Sequence, residues 1–320
     1  MPPHAAIWAP VSIFVLSDSI GQQVLAALHG AQRANPHLHA LTFASASPRA
    51  DQIMHPLNLG LLPRTTTAAH ALLDSIQWPR ATPAARRIVV AGSAAWYNLL
   101  PLCDLSLTSF QQRCDFSARG RPILDHDDPF APPRWPHEGA QSMSSGPAPI
   151  WGWSSFARRT GLADGSGATI NEYEDDLSTF LKAATAQRTN ATLVWFEHPP
   201  EHRSFIGGNM TCSAEPSVLM PSELWGFAHS AHALCPNASS VQDFLKEPTC
   251  KRRVSRWQND IAARLTSDAH VPVAWLWDAL SNRADLHEAD CLHWCEPSEA
   301  GVQMAMAVLN TIAAHLRTVQ

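Results

Sequence analysis

The stretch Ile13-Phe14-Val15-Leu16-Ser17-Asp18-Ser19-Ile20-Gly21-Gln22-Gln23, IFVLSDSIGQQ, changes character in its middle. Ile13 to Leu16 are uniformly apolar and lack a helical period, as expected of a short strand buried on both faces. From Ile20 onward the apolar residues Ile20, Val24, Leu25 and Leu28 fall on one face of a helix. Ser17, Asp18 and Ser19 therefore stand at a strand-to-helix junction. Two readings of that junction compete. Serine and aspartate cap helices by accepting the free N–H groups of a first turn. A serine at the same place can also be a nucleophile, because a helix N-terminus favours developing negative charge.

Outward from this junction the chain reads as strands alternating with helices. Val11–Leu16 is the first strand and Ile20–Arg33 the first helix. Leu38–Ala44 is expected as a strand, Thr66–Ile76 as a helix and Arg87–Ala91 as a third strand ending in Gly92-Ser93. From Leu102 to Gly167 the pattern dissolves into Pro, Gly, Ser, Arg and Trp, an irregular insertion of the length usually tied to function or disorder. Asn171–Ala186 returns to helix, Ala191–Phe196 is a fourth strand, and a loop follows. A helix near Arg252–Leu265 and a fifth strand at Val271–Trp277 come next. The final helix carries Val302, Met306, Leu309, Ile312 and Leu316 on its apolar face. This alternation implies an α/β fold: a mostly parallel sheet covered by helices on both sides, in one domain spanning residues 1–320. Sites in such sheets form beyond the carboxyl ends of the strands, where Ser19, Gly92 and His198 all fall.

Composition narrows the chemistry. The 320 residues are 45% apolar, ample for a core, and only 16% charged. A net charge of −5 without any basic run argues against a nucleic-acid partner. Tryptophan outnumbers tyrosine twelve to two. Trp135, Trp151 and Trp153 sit among Pro, Gly and Ser, where exposed rings would suit the apolar faces of sugars. Seven cysteines (Cys103, Cys114, Cys212, Cys235, Cys250, Cys291 and Cys295) form no CxxC pair and show no zinc-finger spacing. Sequons at Asn190, Asn209 and Asn237 lie near them, which favours an oxidising secretory lumen. No stretch is expected to span a bilayer. The N-terminal MPPHAAIWAPVSIFVL lacks the basic start of a signal peptide, so a luminal protein is expected to have a targeting segment upstream of this start.

The second notable motif is Ala289-Asp290-Cys291-Leu292-His293-Trp294-Cys295, ADCLHWC, just before the last helix. Asp290 and His293, three residues apart after the last strand, can face one spot. There the imidazole would take a proton from a serine hydroxyl while the aspartate fixes its tautomer. A structural turn closed by a cystine is one alternative. A metal reading, with Cys291, His293 and Cys295 as ligands, lacks a fourth ligand and needs alternate turn positions to converge. Asp285 and His287 form a rival acid–imidazole pair.

VLSDSIGQQ near the start with DCLHWC near the end resembles the PC-esterase group of SGNH-type hydrolases. In particular it resembles the trichome-birefringence-like polysaccharide O-acetyltransferases, related to sialic-acid and capsule O-acetyltransferases, to which RIVVAGSAAW is nearer in wording. FEHPPEHRSFIGGNMTC (Phe196–Cys212), VAWLWDALSNRADLH and RIVVAGSAAW are similar to further blocks of that group. The resemblance runs from Val11 to about Leu316, with the insertion unmatched. Ser17 stands where the family has Gly, Gly92-Ser93 where plant members have Asn-Thr, and the family's Cys-rich lobe and membrane anchor are not visible in this chain.

The resemblance implies a three-layer α/β/α SGNH-hydrolase-like fold and a polysaccharide O-acetyltransferase acting through an acetyl-enzyme in the secretory lumen, in the Golgi. Ser19 is the expected nucleophile, His293 the base and Asp290 its partner. Gly92, Asn98 and His202 complete the expected site on the oxyanion and substrate side, and residues 102–167 would form a glycan groove. The partners implied are a polysaccharide acceptor and a small acyl donor, acetyl-CoA or another acetyl ester, with no cofactor. By the same resemblance Cys212 would pair with Cys291, and Cys295 would pair with a cysteine of the lobe not seen here, remaining free in this chain. The alternatives are an esterase passing the same acyl group to water, and a glycan-binding relative that has lost catalysis.

Overall fold

The computed structural model describes residues 10–17, 19–44, 62–63, 65–78, 86–92, 168–186, 190–206, 209–212, 248–287, 294–295 and 298–318. At 19, 44, 168–172, 203–206, 209–211, 248 and 250–254 the backbone alone is described. The insertion of residues 102–167, with Trp135, Trp151 and Trp153, lies outside these residues, as do Asn98 and the sequon at Asn237.

The junction behaves as its sequence predicts. Val11–Ser17 form strand β1 and Ser19–Ala34 form helix α1. A short 3₁₀ turn over Pro36–Leu38, capped by the Asn35 side chain on the His37 N–H, leads to β2, Leu41–Ala44. Helix α2 is Thr66–Asp74, β3 is Arg86–Gly92 and α3 is Ala168–Thr185. Strand β4 is Ala191–Phe196. A hairpin of β5 (Arg203–Ile206) and β6 (Asn209–Cys212) occupies part of the expected loop. Helix α4 is Pro248–Asp268, β7 Val273–Ala274, α5 Trp277–Leu280 and α6 Glu299–Thr318.

Among the described residues β2-β1-β3-β4-β7 form one sheet in that order, and every pair in it is parallel. The chain moves outward from β1 to β2, then crosses to β3 on the other side. The carboxyl ends of β1 and β3 therefore flank the point where the winding direction reverses, the usual place for a binding crevice in such sheets. Ser17 and Gly92 are register partners at that point.

Side chains alternate across the sheet, so each strand feeds two cores. Val11, Ile13, Ile88, Val90, Val194 and Phe196 face α1 and α6. Phe14, Leu16, Val89, Leu193 and Trp195 belong to the opposite side, where Phe180 of α3 packs at a tilt against Trp195 with centroids 6.4 Å apart and Tyr173 meets Trp257 of α4 edge-on. Helices thus cover both faces of a parallel sheet, an α/β architecture in three layers. No helix among the described residues is long and apolar enough to cross a membrane.

Three expectations need correction. The fifth strand was expected over Val271–Trp277 but is two residues long, and Trp277 already begins α5. The β2 expectation was too long at its start, because Pro36 and the Asn35 cap bend the chain into a 3₁₀ turn there. The apolar face of α6 was read too far round: Val302 and Met306 are 59% and 49% exposed, while Ala300, Met304, Ala305 and Val308 are in the core. Three alanines on the true face, Ala300, Ala305 and Ala313, weaken its signal in the sequence.

Gly21 explains the close fit of α1 on β1. A Cβ there would run into the Cβ of Ser17, which is fixed to the strand backbone. Gly30, in the same helix, has nothing within 4 Å of such a Cβ. The two glycines should therefore respond with opposite sign. Gly21→Ala is expected to destabilise the protein by about 1–3 kcal/mol through overpacking. Gly30→Ala is expected to stabilise it by about 0.5–1 kcal/mol through lower backbone entropy in the unfolded chain. Urea midpoints of the two variants check this directly.

Candidate functional site

The carboxyl edge is assembled by side chains that reach from one element to another. Gln23 of α1 is the central one. Its amide nitrogen donates to the Trp294 carbonyl at 3.0 Å and its amide oxygen accepts the Trp294 N–H at 3.2 Å. Gln23 lies four residues after Ser19, on the same helical face and one turn along. Trp294 directly follows His293 and is itself buried at 1% exposure. Residues 271 positions apart in the chain are thus joined, between the two motifs that the sequence singled out.

Ser19 opens α1 at the end of β1; its side chain, together with Asp18, Asp290, His293 and Cys291, lies outside the described residues. Gly92 ends β3 beside the β1 terminus, and the Phe196 ring packs so closely on it that a Cβ would come within 2.7 Å of the ring. Cys212 is disulfide-bonded, and Cys295 is a free thiol. His202 is fully buried at 0% exposure, and both its ring nitrogens are engaged by protein groups. Among the described residues no group of histidines, cysteines and carboxylates has metal-holding geometry. Of the metal reading's ligands, Cys295 alone is described, and its thiol donates to the His287 carbonyl at 3.1 Å.

The rival pair is divided between other partners. Arg283 grips Asp285 through two bonds of 3.0 and 3.1 Å and reaches Glu299 at 2.8 Å with its remaining nitrogen. The hydrogen bonds from Arg283 hold the Asp285 carboxyl below its ordinary range. His287 instead faces His202, with Nδ1 of His202 and Nε2 of His287 2.6 Å apart. Burial pushes His202 below the ordinary imidazole range, against the bond to Ser281 and the nearby Asp285 charge.

Beyond β4 the chain is pinned in two further places. Glu197 accepts the N–H groups of Leu276 and Trp277 at 2.9 and 2.6 Å and pairs with Arg256 at 3.1 Å. Burial raises its carboxyl pKa, and the Trp277 N–H, Arg256 and the Leu276 N–H partly offset that rise. Asn259 of α4 holds both the N–H and the carbonyl of His198, each at 2.9 Å. Neither Gln23 nor Asn259 stood out in the sequence. The signal for Gln23 is its four-residue spacing from Ser19, as a polar residue on a strip that continues through the small residues Ala27 and Ala31.

No protein-family model matches this chain, and no curated protein matches it.

Replacing Gln23 by Leu keeps its bulk but leaves the Trp294 N–H and carbonyl without their partners. The expected cost is about 1–3 kcal/mol in equilibrium unfolding, the penalty of unsatisfied buried polar groups. Gln23→Glu should fall between, because it keeps an acceptor for the N–H while losing the donor to the carbonyl.

Proposed function

We propose that this protein is a serine acyltransferase that carries an acetyl group on Ser19 and delivers it to a hydroxyl of a polysaccharide. Ser19 Oγ attacks the carbonyl carbon of an acetyl ester or thioester, and His293 takes the hydroxyl proton as the C–O bond forms. Asp290 holds the imidazole in the required tautomer. When the tetrahedral intermediate collapses, the donor's alcohol or thiol leaves with that proton, and Ser19 keeps the acetyl group. An acceptor hydroxyl then attacks the acetyl-enzyme, giving its proton to His293, and Ser19 is regenerated. Backbone N–H groups at the start of α1 and at Gly92 would bind the oxyanion, each typically contributing a few kcal/mol.

The observation that carries this reading is the two-point grip of Gln23 on Trp294. It draws the residue after His293 against the helix that Ser19 opens. The crevice position between β1 and β3 adds support, since reactions in such sheets occur at that edge. The polysaccharide acceptor rests on the motif resemblance and on the Trp-bearing insertion. A secretory lumen is supported by the Cys212 disulfide and by the sequons, of which Asn190 is exposed.

Exposure to an activated acetyl ester, followed by intact-protein mass measurement, tests the mechanism. The wild type should gain one acetyl group and lose it faster when xylan or pectin oligomers are added. Ser19→Ala should form no adduct. His293→Ala should be nearly as inactive, because the two residues act as a unit, and Asp290→Asn should be milder. Equal turnover by Ser19→Ala would end the proposal.

A further inference from the structure

We propose that the buried hydrogen bond between His202 and His287 positions the segment carrying Asp290 and His293, making both histidines positioning residues; this rests on the acyl-transfer reading above. His287 and Trp294 are joined by an antiparallel backbone bridge, and the Cys295 N–H donates to the Leu286 carbonyl at 2.8 Å. The two flanks of the motif, Leu286–His287 and Trp294–Cys295, are therefore joined to each other, and His287 is the anchor on the N-terminal side. Its ring stacks on Trp294 with centroids 3.8 Å apart. Its Nε2 meets His202, which comes from the connection between β4 and β5, and His202 in turn meets the Ser281 carbonyl at 2.9 Å. One ring thus ties the end of β4 and the turn after α5 to the start of the motif loop.

The tautomers follow from the acceptors. The Ser281 carbonyl can only accept, so Nε2 of His202 carries a proton. In the neutral pair Nδ1 of His202 is then the acceptor, and Nε2–H of His287 donates to it. Burial keeps His202 below the ordinary imidazole range. Of the contacts made by His287, this donor is the one that a different side chain can keep, although the ring face on Trp294 is lost with it. Glutamine can place its amide nitrogen there, whereas leucine cannot and leaves Nδ1 of His202 buried without its partner.

The test compares His287→Gln with His287→Leu by two readouts. In the acetyl-transfer assay His287→Leu should lose about 100-fold in kcat with KM nearly unchanged, the effect of a catalytic group displaced by about 1 Å. His287→Gln should stay within about fivefold of wild type. A wild-type kcat in His287→Leu, or equal loss in both variants, overturns the inference. If His287→Leu does not fold, His287→Asn, whose amide is too short to reach His202, replaces it. The second readout is alkylation of the Cys295 thiol by iodoacetamide, followed peptide by peptide. It should speed up in His287→Leu but not in His287→Gln; equal rates in all three proteins overturn the anchoring. If wild type shows no Ser19-dependent turnover, the acyl-transfer reading falls by itself, and the alkylation rates still decide whether the histidine pair holds the segment.

Discussion

The Gln23–Trp294 contact is the constraint on which the candidate site depends. A parallel sheet brings the carboxyl ends of its strands to one edge, but it does not by itself bring the last motif of the chain back to the first helix. The packing of α6 against α1 does so roughly, through Leu28, Met304, Val308 and their neighbours. Apolar contacts are non-directional and tolerate sliding. The amide of Gln23 removes that freedom, because it matches both the donor and the acceptor of one peptide unit. Position along the helix is then fixed to within a hydrogen bond's tolerance.

The same device recurs around the edge. Asn259 reads one residue's N–H and carbonyl at His198, and Glu197 collects two successive N–H groups at the turn into α5. These are buried or nearly buried polar contacts, and buried ion pairs such as Glu197–Arg256 add little net stability because desolvation offsets their attraction. What they contribute is register. An apolar replacement of similar volume could hold the fold equally well while leaving the loops free to settle differently. A candidate site at a sheet edge gains from polar pins for this reason.

Much of the fold was legible from the sequence, and the reason is visible in particular elements. Ala191–Phe196 was read to the residue because a short apolar run bounded by Asn190 and by charged Glu197 has few alternatives. The Ser-Asp-Ser junction was legible because the period changes from strand to helix across it. The β5–β6 hairpin was missed although Gly207-Gly208 stand between its strands, a turn signal of the kind that marks hairpins. The site was less legible. The resemblance puts His202 on the substrate side, and sequence proximity pairs His287 with Asp285. Their pairing with each other spans 85 residues and depends on where β4 and α5 end, which no local pattern encodes. Gly21 carried a readable message in hindsight: a glycine early in a helix marks a close approach.

The most direct measurement is covalent labelling with a fluorophosphonate, which reacts with serines activated by a neighbouring base, followed by peptide mapping. A single phosphonylated residue, Ser19, is expected, with loss of that label in His293→Ala while the protein stays folded. A label on a different serine, or continued turnover of acetyl esters by protein in which Ser19 is phosphonylated, would contradict the nucleophilic role of Ser19.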